Sequence, residues 1–171
     1  GAGVRVAVID TGVDRSQPQM AMIHYAGGRN VSGSGTGASD PRDCTSQGHG
    51  TAVTGIIAAP QVSGVAFYGV APDSTIIPIR QTASDTQGGN DVGIAEGIDY
   101  ALSVHANVIN ISETINKPSI PIEHALSRAA AKGVVVVAAS GNETPNSGVS
   151  PVPYPAAYAK TYSTVIAVGA V

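Results

Sequence analysis

Short apolar runs rich in β-branched residues alternate along this chain with longer stretches whose apolar positions recur every three or four residues. Val4–Ile9 (VRVAVI), Thr75–Arg80 (TIIPIR), Asn107–Ser112 (NVINIS), Val134–Ala139 (VVVVAA) and Thr164–Val168 (TVIAV) read as strands. His49–Ala59, stopped by Pro60, reads as a helix of small residues. Asn90–His105 reads as a second, apolar at Val92, Ala95, Ile98, Ala101 and Leu102. Pro121–Lys132 reads as a third, with proline near its start and Gly133 after its end. Between the first strand and the first helix, Met20–Ser46 reads as loop, with Gly27-Gly28 and a Ser/Gly tract over Ser32–Gly37.

Alternating strands and helices predict an α/β fold: a mainly parallel, doubly wound sheet with helices on both faces, three layers in all. The VVVVAA run is apolar on both sides, as a strand covered on each face requires. In such sheets, ligands gather beyond the carboxyl ends of the strands. Asp10 ends the first strand, Asn142 follows VVVVAA and His49 opens a helix, so all three fall where a site belongs.

Composition narrows the partners. The chain has 171 residues, enough for one domain with a substantial core; 43% are hydrophobic and only 12% charged. A net charge of −3 with no basic stripe argues against nucleic acid. No apolar run approaches the roughly 20 residues of a membrane span. Gly1 opens almost directly into a strand, so the chain is expected to be mature or trimmed, and its low charge suits an exported protein. The single cysteine, Cys44, cannot form an internal disulfide; it is a free thiol or half of a bridge whose partner lies elsewhere. His24, His105 and His124 stand at no ligand spacing, so no metal is expected from them.

Asp10, taken alone, could be a turn aspartate, and Asn142 a turn asparagine. His49 is harder to explain structurally. It stands between Gly48 and Gly50 at a helix start, where the dipole opposes a protonated imidazole and the glycines let other groups approach. The three occur in order, each in a distinctive frame: Val6–Val13 (VAVIDTGV), Gly48–Val53 (GHGTAV) and Val135–Asn142 (VVVAASGN). With Gly69-Val70-Ala71-Pro72, Tyr154-Pro155-Ala156 and Val165–Val171, these segments resemble the subtilisin-like serine proteases, the subtilases, from Val4 to Val171.

That resemblance implies His49 as general base and then acid, Asp10 as the group orienting it, and Asn142 as an oxyanion-hole donor. It also implies a polypeptide substrate bound as an extended strand. Gly88, Gly89 and Asn90 would flank it on one side and Ile111, Ser112 and Glu113 on the other, with Ser140 and Gly141 at cleft positions. Glu113-Thr114-Ile115 replaces the glycine-rich stretch usual in subtilisins, which implies narrower specificity; Glu113 either favours a basic substrate side chain or faces outward. Asp43-Cys44, Arg80-Gln81-Thr82 and Val108–Thr114 are similar to the mycosins, the secretion-associated branch of the family. Asn116 stands where mycosins carry a cysteine, so the family bridge to Cys44 cannot form.

No serine here matches the family's nucleophile, which lies in a Gly-Thr-Ser-x-Ala motif beyond the Val-Gly-Ala-Val strand. Residues 1–171 are thus expected to be the N-terminal portion of one catalytic domain, incomplete at its C-terminal end and inert alone. The implied partner is the remaining segment carrying serine; the alternative is a pseudoprotease that binds peptides without cutting them. Pro60–Gly64 lacks the asparagines of the family's calcium loop, so no calcium and no other cofactor is inferred.

Overall fold

The computed structural model describes residues 1–33, 37–43, 45–82, 90–142 and 151–169. Its elements are β1 (Arg5–Asp10), α1 (Pro18–Ala21), β2 (His24–Tyr25), β3 (Arg29–Asn30), α2 (His49–Ala58), β4 (Thr75–Arg80), α3 (Asp91–Ser103), β5 (Val108–Ile111), α4 (Ile120–Ala131), β6 (Val135–Ala139), a 3-10 turn (Ala156–Lys160) and β7 (Val165–Val168). All five strands and three helices expected from the pattern are present, with small shifts at their ends. The short elements β2 and β3, inside the segment read as loop, and α1, which runs into its start, were not anticipated.

Every strand pairing is parallel, in the order β2-β4-β1-β5-β6-β7, with β3 also paired to β4. β1 is therefore flanked by β4 on one side and β5 on the other. The chain leaves β1 in one direction through α2 to β4, then turns back through α3 to β5 and onward through α4 to β6. Right-handed crossovers running in opposite directions must lie on opposite faces of a sheet. The core follows suit: Val6, Val8, Met20, Ile23, Ala58 and Ile76 pack on the α2 side, whereas Ala7, Ile9, Ile79, Ile98, Ile111 and Leu126 pack under α3 and α4. The reversal of direction beside β1 puts a crevice at its carboxyl end.

Pro78 shows why the edge is broken. Thr75 and Gln81 donate to Val4 and Asp10 of the β1 side, so Pro78, on the opposite parity, faces outward. It has no N–H to offer there, and the outer strand is split at that height into β2, paired to Thr75 and Ile76, and β3, paired to Ile79 and Arg80. On the other face, Gly97 lets α3 sit close to the sheet, because a Cβ there would lie 3.1 Å from Ile9 Cδ1 and 3.3 Å from Ile79 Cγ2. That approach rotates α3 so that Ile94 is buried, while Val92, expected in the core, is 52% exposed.

The two faces of the sheet are not equally covered. On β5 and β6, Ile109, Ile111, Val136 and Ala138 are buried under α3 and α4, but the alternate residues Val108, Val135, Val137 and Ala139 are only partly covered. Ile166 and Val168 of β7 are each 49% exposed. Double-sided hydrophobicity in VVVVAA is therefore matched by a helical layer on one side only.

Both long helices on the covered face end alike. Beyond α4, Gly133 at φ 68° and Val134 donate to Ala130 and Ala129. Beyond α3, His105 at φ 58° and Ala106 donate to Leu102 and Ala101. This is the same left-handed cap, built once with glycine and once with an exposed histidine. A Cβ costs energy in that region, so His105→Gly is expected to stabilise the fold by about 0.5–1 kcal/mol. The corresponding rise in Tm is about 1–4 °C, measured by thermal unfolding. Gly133→Ala should lower it by a similar amount, and no change in either variant would refute this account of the caps.

Candidate active site

Asp10 closes β1 and is fully buried. Its Oδ1 accepts the Thr11 backbone N–H at 2.7 Å and faces His49 Nδ1 at 2.7 Å. His49 is the first residue of α2, placed there by Gly48 in the left-handed region at φ 63°. The next residue decides how near α2 can come. A Cβ on Gly50 would collide with the Gly12 carbonyl oxygen and stand 3.0 Å from Asp10 Oδ1. Glycine there lets the helix start press against the turn after β1, and the Gly50 N–H donates to Thr11 Oγ1 at 2.8 Å. An imidazole that donates from Nδ1 to a buried carboxylate presents Nε2 as its basic nitrogen.

Three carboxylates act on that ring. The hydrogen bond to Asp10 is the largest influence raising the His49 pKa above its usual value; partial burial opposes it, and the charges of Asp10, Glu113 and Asp43 add to it. They outweigh the helix N-terminus, which by itself would lower it. Glu113 lies just past β5, half-buried, between the ends of β1 and β6. Burial pushes its carboxyl up to about 7 and the nearby Asp10 charge adds to this, while the Gln81 side chain and His49 pull the other way. Gln81 is fully buried and held by Asn90, whose N–H donates to Gln81 Oε1 at 3.3 Å and whose Nδ2 donates to the Gln81 carbonyl at 3.2 Å.

Among the described residues, Asn90, Ile111, Ser112, Ser140, Gly141 and Asn142 fall at or beyond the carboxyl ends of the strands. Asn142 is exposed and follows β6 after Ser140, whose N–H donates to Val168, and Gly141 at φ 101°. Ser112 Oγ accepts from Asn110 Nδ2 at 2.9 Å. Ile111 is fully buried, so only its backbone can face a ligand. Asn90 caps α3, accepting from the Gly93 N–H at 2.6 Å, which commits its side chain to the fold. Gly88, Gly89 and Cys44 lie outside the described residues. Among the described residues no group of His, Cys, Asp and Glu could hold a metal ion.

Sequence patterns missed Thr11, Asp43, Thr51 and Gln81 as parts of this site. The signals were that Thr11 adjoins Asp10, that Thr51 stands two residues after His49, and that Asp43 and Gln81 fall in the mycosin-like phrases Asp43-Cys44 and Arg80-Gln81-Thr82.

Residues 1–171 match the profile of the Subtilase family over their whole length. The chain belongs to the subtilase family. It is 37% identical to Subtilisin BL of Lederbergia lenta, over 99% of this chain and 56% of that protein, and 39% identical to Subtilisin of Bacillus pumilus, over 100% and 58%. Among solved structures, S41 Psychrophilic Protease superimposes with a TM-score of 0.76 at 32% identity, covering 97% of this chain and 52% of that one. Sphericase gives 0.76 at 30% identity, covering 98% and 53%. The subtilase chain described here thus spans little more than half the length of these relatives.

Glu113 also links the site to stability. Its carboxyl holds a proton up to about pH 7 in the fold against 4.5 ordinarily, so between those values the folded state binds more protons than the unfolded one. Stability must then fall as pH rises through that window. His49, raised above 6.5, contributes stability that is complete below 6.5 and lost as pH climbs through its raised value, the same direction. Glu113→Gln removes the first contribution. Tm measured from pH 4.5 to about 7 is expected to decline less steeply in this variant than in the parent; parallel curves would count against a partly buried carboxyl.

Proposed function

We propose that this chain supplies the aspartate, histidine and oxyanion-hole asparagine of a serine endopeptidase. The observation that carries the reading is the 2.7 Å contact between His49 Nδ1 and the fully buried Asp10. Asp10 holds the ring in the tautomer whose Nε2 can take a proton from a serine hydroxyl, and its charge stabilises the imidazolium that results. The same nitrogen returns the proton to the leaving amine. Asn142 donates its side-chain N–H to the oxyanion of the tetrahedral intermediate. An extended polypeptide lies along the cleft beside Ser112, Glu113, Ser140 and Gly141, and a basic side chain next to Glu113 would favour its charged form. The reaction needs no metal or cofactor.

The attacking serine comes from a segment beyond residue 171, and the chain alone is inert. Two observations support this. The matched regions cover 56% and 58% of the relatives' own lengths. The partly covered apolar face of β5, β6 and β7, opposite α3 and α4, is a surface of the kind a further helical segment would bury. Similarity to mycosins and the low charge favour an exported protein, and among the described residues no helix is long and apolar enough to cross a membrane.

The test is a fluorophosphonate probe applied to the protein extended through its Gly-Thr-Ser segment, followed by intact mass. One label per molecule is expected, abolished by His49→Ala. In the same protein Asn142→Ala should lower kcat by about 10²–10³ with KM little changed, the loss seen on removing this donor from a subtilisin. An unlabelled, well-folded protein that still binds peptides would point instead to a pseudoprotease.

A further inference from the structure

The His49 ring is held less by packing than by the helix that carries it, since its side chain is 49% exposed. That helix has no cap of its own: Gly48 has no side chain, and the first-turn N–H groups look elsewhere for acceptors. Gly50 N–H finds Thr11 Oγ1 at 2.8 Å, and Thr51 N–H finds Asp43 Oδ2 at 3.3 Å. The same oxygen accepts the hydroxyl of Thr51 at 2.8 Å and the hydroxyl of Thr11 at 3.0 Å. Asp43 Oδ1, meanwhile, accepts the backbone N–H of Thr45 at 3.1 Å and its hydroxyl at 2.6 Å. Thr45 Oγ1 receives Gly48 N–H at 3.3 Å, and Thr51 Oγ1 receives Asp14 N–H at 2.9 Å.

We propose that Asp43 is a positioning residue for the catalytic pair, fastening the first turn of α2 to the turn after β1 so that His49 meets Asp10. This rests on the serine-protease reading of the site. Thr11 adjoins Asp10 and Thr51 belongs to the first turn begun by His49, so one carboxylate oxygen ties together both flanks of the 2.7 Å contact. The chemistry calls for a carboxylate. Both oxygens face donors, and two of those donors, Thr45 N–H and Thr51 N–H, are backbone groups that cannot turn round to accept. An amide at this position would have to direct its NH₂ at one of them. Asp43 therefore acts on the reaction through His49, by placing its ring and by adding to the negative charge around it, without touching substrate.

Asp43→Asn keeps the shape and breaks one flank, which makes it the informative variant. In the protein extended through its serine segment, kcat is expected to fall about tenfold or more with KM nearly unchanged, as small misplacements of a catalytic group do. Added to His49→Ala, the same substitution should leave the residual rate almost unaltered. A loss of equal size in both backgrounds, or a lower Tm with kcat intact, would overturn the proposal. The His49 Nδ1 proton, followed by NMR in the parent and in Asp43→Asn, decides the question without turnover. Exchange broadening supports the fastening role and a signal that stays sharp refutes it, because loss of the Asp43 charge alone would shift the resonance without broadening it. Failure of the parent to react with a fluorophosphonate would instead sink the enzymatic reading, leaving the NMR comparison to decide the structural one.

Discussion

How closely the first turn of α2 can approach the turn after β1 governs everything else at this site. The space between them is set by backbone, since a side-chain carbon at Gly50 would strike the Gly12 carbonyl and one at Gly12 would strike the backbone of Pro41 and Arg42. Into that gap the fold places a fully buried carboxylate, whose desolvation would be costly if it stood alone. The imidazole and the Thr11 N–H, each 2.7 Å from Oδ1, offset that cost. Oδ2 is buried and accepts no hydrogen bond among the described residues, so the balance leans heavily on one oxygen. The carboxylate and the ring are thus mutually dependent, in folding as in chemistry.

The sheet topology explains why such a pair arises here. A parallel sheet whose connections reverse direction beside β1 leaves that strand's carboxyl end open between diverging crossovers. Asp10, His49, Gln81 and Glu113 all reach this edge from different elements. Two carboxylates besides Asp10 act on His49, which makes the edge favourable for an imidazolium and poor for a second isolated negative charge. The pKa of Glu113, raised first by burial and then by the Asp10 charge, follows the same rule. The same topology puts α2 over β1 and β4 and, among the described residues, leaves the corresponding face of β5, β6 and β7 with no helical layer of its own.

Much of the fold was legible because burial writes itself into periodicity. VRVAVI, TIIPIR and VVVVAA could be read as interior strands, and the small-residue helix starting at His49 could be placed beside them. The short strands β2 and β3 were not legible. Two residues carry no period, and their separation reflects where Pro78 points across the sheet. Val92 was misassigned because a helical pattern fixes a face only to within a residue, and the close approach at Gly97 settled which one faces inward.

The sequence by itself determined the identities and order of the candidate groups and the glycines that let them approach, because these depend on local chemistry and chain geometry. It could not disclose that Asp43, Thr11 and Thr51 form one network, that Glu113 lies near His49, or that Asn90 is committed to capping α3. Those facts depend on distances between segments remote in the chain. Such distances are fixed only when the crossovers close over the sheet and every buried N–H must find an acceptor.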